Sequence, residues 1–180
     1  MRSNREGFEY LEGRRIGKII FPILPFIIAF LSFTPLIHAE DKTKTLIGGV
    51  EEVVLFPYKV KLPARIDTGA SISSLDVRDL TVKRGIAQFR LPERYGNILM
   101  SLHIVRHCDI KSPEARERRP VVEVELCLGS KRMKVEVNLN DRSRMEYPLL
   151  LGRNVLNQGF IVDSSRERIL PSKCLEEAPQ

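Results

Sequence analysis

The sequence predicts an all-β domain preceded by a hydrophobic export segment, and three observations point there. Two runs alternate apolar and polar residues on either side of a Gly-Ser-Lys turn. Several further runs of strand length are rich in β-branched and aromatic residues, and beyond residue 39 no sustained 3.6-residue periodicity marks a long helix. The 180 residues, 43% hydrophobic and 29% charged with no Trp, suit one modest domain and exclude both a large multidomain enzyme and wholesale disorder.

In chain order, Ile19 to Ile37 carries no charge and follows the basic cluster Arg14, Arg15 and Lys18. As a helix this stretch would span roughly 28 Å, close to a bilayer core, but Pro22, Pro25 and Pro35 interrupt it. Residues 1–39 therefore read either as a signal peptide cleaved after Ala39 or as a retained signal anchor with 19–37 as a membrane tether. Both alternatives place the rest of the chain across the cytoplasmic membrane, in the periplasm, because the basic cluster stays inside. Residues 40–45 read as a polar linker, 46–172 as the folded domain and 173–180 as a C-terminal tail.

Within the domain, Val50 to Phe56 and Tyr58 to Ile66 have strand composition, with Pro57 and Pro63 confining them to edge or broken strands. Ser74 to Val77, Ile86 to Leu91 and Ile98 to Val105 are also of strand length. The clearest hairpin runs from Val121 to Leu128, through Gly129-Ser130-Lys131, to Met133–Leu139. Val122, Val124, Leu126 and Leu128 fall on one face with Met133, Val135, Val137 and Leu139, while Glu123 and Glu125 fall on the other. Part of 77–83, and 154–158, are the stretches suited to short helices. A barrel or sandwich of this size is an ordinary all-β domain. Cys108, Cys127 and Cys174 are odd in number and allow at most one disulfide; Cys127, inside an alternating apolar run, reads as a buried core thiol.

The net charge of +6 lacks a Lys/Arg stripe interleaved with aromatics, so no nucleic-acid partner is assigned. The segment that carries chemistry is Ala64-Arg-Ile-Asp67-Thr68-Gly69-Ala70-Ser71, one carboxylate at the end of an apolar strand in a turn of small residues. Asp67 is either a turn aspartate capping its own backbone, with Gly69 supplying conformational freedom, or an acid–base carboxylate on a rigid loop. A second segment, Tyr147-Pro-Leu-Leu150-Leu151-Gly152-Arg153-Asn154-Val-Leu156, bears on that choice.

With both segments in this order, the chain resembles the retropepsin-like aspartic proteases. Arg119-Pro-Val-Val, Leu128-Gly129, Asn140-Asp-Arg142, Met145 and Tyr147-Pro148 make it similar to their bacterial branch, which has carried the label ATP-dependent zinc protease. The resemblance covers roughly residues 46 to 170 and implies a closed acid-protease barrel with one short C-terminal helix. It implies an aspartic endopeptidase acting on protein or peptide, with Asp67 catalytic and Thr68 and Gly69 supporting its loop. Ala70 and Ser71 would line the substrate cleft, and Leu150, Leu151, Gly152 and Arg153 would pack behind the site. One Asp-Thr-Gly per chain implies a homodimer, since this chemistry needs two carboxylates sharing a proton.

Neither HExxH nor a Gly-rich phosphate loop is present, and His103 and His107 fall short of the three or four donors a metal needs, so no cofactor or metal is assigned. Ser71 stands where the retroviral enzymes carry an aspartate, which leaves the arginine at 153 without its expected ion-pair partner. The flap of the family would fall near Arg106 to Arg119, here charged and containing Pro113, either a lid over the substrate or a solvated connection. Two further functions stay open: a non-catalytic peptide-binding adaptor on the same fold, and hydrolysis of glutamate-type amide linkages.

Overall fold

The computed structural model describes residues 43–111, 116–171 and 173–175. The signal-or-anchor segment, the tether at 19–37, the segment around Pro113 and most of the 173–180 tail lie outside the described residues. Among the described residues, eleven strands run in the order β1 (Thr45–Gly48), β2 (Val50–Phe56), β3 (Val60–Ile66), β4 (Ser73–Asp76), β5 (Arg78–Lys83), β6 (Ile86–Arg90), β7 (Leu99–Lys111), β8 (Arg116–Leu128), β9 (Lys131–Asn140), β10 (Leu149–Leu151) and β11 (Phe160–Asp163). A one-turn helix α1 (Arg153–Leu156) separates the last two.

The sheet order β2-β3-β10-β4-β9-β8 closes on itself through a β2–β8 pairing, giving a six-stranded barrel from which β7, β6 and β5 extend as a wing. β8 makes this possible by dividing its length: residues from Arg116 to Val122 pair with β7, while Glu125–Leu128 pair with β2. The alternation expected of the 121–139 hairpin sets its register, Val122↔Val137 and Val124↔Val135, and those side chains are buried in the barrel core with Leu62, Ala64, Leu75 and Leu151. One apolar face against water holds such a register, since a one-residue slip would turn every core side chain outward.

Four expectations need correction. Residues 78–83 form a strand rather than part of a helix, because Arg84 and Gly85, both at positive φ (51° and 76°), make a two-residue turn that folds β5 back onto β6. Residues 106–111 and 116–119 are not loop but the outer parts of β7 and β8, paired out to Lys111↔Arg116. The polar 40–45 segment already enters β1 at Thr45, which pairs with Phe160 of β11. Finally, Cys127 is buried but is no thiol: it is disulfide-bonded to Cys174, with Cα atoms 6.3 Å apart, and Cys108 is the free cysteine. The bond lies against Val54 and Phe56, so the second face of the 121–139 hairpin is partly covered rather than wet.

A buried carboxylate holds the same end of the chain. Glu51, with no exposed surface, accepts hydrogen bonds from the amides of Gly48 (2.6 Å), Ile169 (3.3 Å) and Leu170 (3.2 Å). Desolvating a carboxylate is costly unless its lone pairs are met, and three N–H donors meet them here.

Candidate active site

The site is built where β10 inserts between β3 and β4, parallel to the first (Leu151↔Ile66) and antiparallel to the second (Leu150↔Ser74). Leu149 and Leu151 are buried and anchor the strand in the core. The ladder runs up to the aspartate itself, because the Asp67 amide donates to the Leu151 carbonyl at 3.0 Å. Asp67 is half-buried, Thr68, Gly69 and Ser71 are exposed, and Ala70 is intermediate.

Asp67 Oδ1 accepts the Gly69 amide at 2.8 Å and the Ala70 amide at 3.1 Å. The turn and acid–base readings of this residue are therefore compatible: Oδ1 caps the loop backbone, while neither of these bonds occupies Oδ2. Gly69 is tight against the carboxylate, since a Cβ there would stand 3.2 Å from Oδ1.

Gly152 is required by space rather than by φ. A Cβ would lie 2.9 Å from the Ala70 carbonyl oxygen, 2.9 Å from Ile72 C and 3.0 Å from Ile72 O. The Arg153 amide donates to the Ala70 carbonyl (2.9 Å), and its guanidinium Nη1 donates to the carbonyls of Thr68 (3.0 Å) and Gly69 (2.8 Å). The aspartate missing at position 71 is thus replaced by two main-chain acceptors of the Asp67 loop.

Sequence reasoning missed the polar scaffold beneath. Ser73 Oγ accepts the Gly152 amide (3.0 Å) and donates to Asn154 Oδ1 (2.8 Å); that oxygen also accepts the Ser73 amide (3.0 Å), and Asn154 Nδ2 donates to the Glu136 carbonyl (2.8 Å). Asn138 Nδ2 donates to the Ser73 carbonyl (2.9 Å) and Ser74 Oγ to Asn138 Oδ1 (3.0 Å). The available signal was two serines inside a strand and an asparagine directly after Gly-Arg, polar residues among apolar neighbours.

A second buried carboxylate, Asp76, accepts both terminal nitrogens of Arg78 (2.5 and 3.1 Å) and the Arg142 amide (2.6 Å). Burial pulls the Arg142 guanidinium below its ordinary value and the nearby Arg119 lowers it further, while Asp76 and Asp67 oppose the shift. Asp67 therefore shares its electrostatic neighbourhood with Arg142. A cavity of about 460 Å³, lined among others by Arg78, Glu117, Arg119, Asn140 and Asp141, opens beside the outer part of β8. His103 and His107 are both exposed on β7, and among the described residues no three His, Cys, Asp or Glu side chains converge on a metal position.

A closed six-stranded barrel, an Asp-Thr-Gly loop at the end of one strand and a Leu-Leu-Gly-Arg strand threaded behind it define the acid-protease class of retropepsin type. The chain belongs to the RimB-like family, described as retropepsin-like aspartic endopeptidase RimB, whose model matches residues 46–173. A solved Legionella pneumophila protein of unknown function is 32% identical, with a TM-score of 0.60 over 69% of this chain and 97% of its own. The simian foamy virus protease aligns more loosely, with 15% identity and a TM-score of 0.38 over 60% of this chain and 91% of its own. A protein of Shewanella pealeana named probable alpha-L-glutamate ligase is 28% identical over 138 residues, 71% of this chain. The matched region is 30% of that protein's length.

Proposed function

We propose that the protein is an exported aspartic endopeptidase that hydrolyses peptide bonds as a homodimer, with one Asp67 from each subunit forming the dyad. The observation that carries the reading is the Asp67 loop itself: Oδ1 pinned by two amides, and the loop backed by β10 and Arg153. Two such carboxylates a few ångströms apart share one proton, because both cannot ionise cheaply. The ionised one takes a proton from water as the oxygen attacks the scissile carbonyl. The protonated one hydrogen-bonds the carbonyl oxygen, and collapse of the tetrahedral adduct sends a proton to the leaving amine. Thr68 bridges the two loops, Ala70 and Ser71 line the cleft, and the β7–β8 hairpin covers the substrate. Export is supported by the basic-then-apolar segment and by the Cys127–Cys174 disulfide, a bond that persists in oxidising compartments.

A second reading, hydrolysis of glutamate-type amide linkages, is favoured by Arg142, a cation that acts electrostatically on Asp67 and suits an acidic substrate chain. The test is cleavage of a diverse peptide mixture, poly-glutamate chains included, by the purified protein across acidic to neutral pH, with Asp67→Asn alongside and oligomeric state recorded. Cleavage lost in Asp67→Asn is expected. An active Asp67→Asn protein overturns the mechanism, and a folded, inactive monomer points to a peptide-binding adaptor.

A further inference from the structure

We infer that Arg153 is a positioning residue that acts on Asp67 through two peptide groups and makes its two oxygens inequivalent. The inference rests on the reading of Asp67 as the reacting carboxylate. Nη1 of Arg153 donates to the Thr68 carbonyl at 3.0 Å and the Gly69 carbonyl at 2.8 Å. The Thr68 carbonyl belongs to the same peptide group as the Gly69 N–H, and the Gly69 carbonyl to the same group as the Ala70 N–H. Those two N–H groups donate to Asp67 Oδ1, at 2.8 and 3.1 Å. The cation and the carboxylate therefore bracket the same two peptides from opposite ends.

An amide is a conjugated unit, so a cation on its oxygen draws electron density from nitrogen and strengthens the bond its N–H donates. Two such relays converge on Oδ1. That oxygen becomes the anchored one and Oδ2 the one left to exchange protons with water and substrate. Arg142 also acts on Asp67, but across space and with no hydrogen bond to the loop among the described residues. Arg153 is itself fixed by the hydrogen bond its main-chain N–H donates to the Ala70 carbonyl, 2.9 Å, so the guanidinium and the loop form one unit. The planar guanidinium serves two acceptors while keeping its charge at any pH. Because it is exposed, water screens the effect, and the loss on removal is about tenfold rather than the hundredfold or more of a direct oxyanion donor.

The experiment compares Arg153→Gln and Arg153→Lys with the natural protein by two readouts. In Arg153→Gln the amide proton resonances of Gly69 and Ala70 move upfield and exchange faster with solvent. Its kcat falls about tenfold while KM stays within about twofold. Arg153→Lys, which keeps the charge, restores most of both. Unmoved Gly69 and Ala70 amides in a folded Arg153→Gln protein overturn the inference, as does a rise in KM equal to the fall in kcat. Should Arg153→Gln fail to fold, Arg153→Lys decides by itself, through retention or loss of the downfield amides. If the natural protein cleaves nothing, the catalytic reading fails alone, because the amide resonances test the relay without turnover.

Discussion

Gly152→Ala is the sharpest perturbation of the site. The added methyl would meet Ala70 O at 2.9 Å, Ile72 C at 2.9 Å and Ile72 O at 3.0 Å, all main-chain atoms that no rotamer change can move aside. Ordinary contacts of this kind begin near 3.4 Å, so three atoms must each retreat by nearly half an ångström or β10 must withdraw from its slot. Overpacking a tight core costs about 1–3 kcal/mol, and a purely main-chain clash belongs at the upper end. For a domain of this size about 3 kcal/mol corresponds to a Tm fall of roughly 12 °C. Thermal unfolding followed by circular dichroism reads this directly, with Gly49→Ala as control, since nothing lies within 3.7 Å of a Cβ there. Because the displaced atoms follow Asp67 in the same loop, activity should fall further than stability. A Gly152→Ala protein melting within about 2 °C of the natural one would refute the claim that the backbone here cannot yield.

Four other outcomes follow from the same geometry. Ser73→Ala leaves the Gly152 amide without its acceptor and takes one of the two donors from Asn154 Oδ1, the Ser73 amide remaining, which should cost about 2 kcal/mol in chemical denaturation. Glu51→Gln keeps the volume but turns an NH₂ toward backbone N–H groups, so about 1–3 kcal/mol of stability should be lost, seen as a lower denaturation midpoint. Reduction of Cys127–Cys174, 47 residues apart, should lower stability by about 4 kcal/mol on the loop-entropy estimate, measured with and without reductant. Bonds from Ser143 and Ser165 hold the carboxyls of Asp141 and Asp163 below their ordinary value of 3.8 in the folded state. Their contribution is complete above that value and lost as pH falls through the lower folded ones, so the double Asp141→Asn, Asp163→Asn protein should show a shallower fall of Tm on acidification below about pH 4.

Much of this fold is written locally, and what is not has a common cause. The 121–139 hairpin is explicit because its core-facing residues alternate with charged ones along most of its length. β5 leaves no such trace, since five of its six residues are exposed and its identity depends on the Arg84-Gly85 turn and on β6. The Asp-Thr-Gly and Leu-Leu-Gly-Arg segments announce the site, yet nothing in either says that Arg153 meets carbonyls instead of a carboxylate. That contact exists only once β10 lies beside β3. Likewise, three cysteines permit several pairings, and only the bonds of Arg168 to Val50 and of Lys173 to Gly129 bring Cys174 to Cys127.

The threading of β10 bears on when the molecule becomes what it is. Thr68 and Arg153, whose contact completes the loop, are 85 positions apart. Ribosomes deliver the earlier one first, and long-range strand pairing is the slow part of folding. Until Leu149–Arg153 arrives, the barrel wall lacks the strand between β3 and β4, and both of their facing edges are unsatisfied. A growing or C-terminally clipped chain therefore holds the Asp-Thr-Gly triplet without the strand that backs it, and is at that stage prone to sticking through its open edges. Length itself acts as the safety catch on this fold.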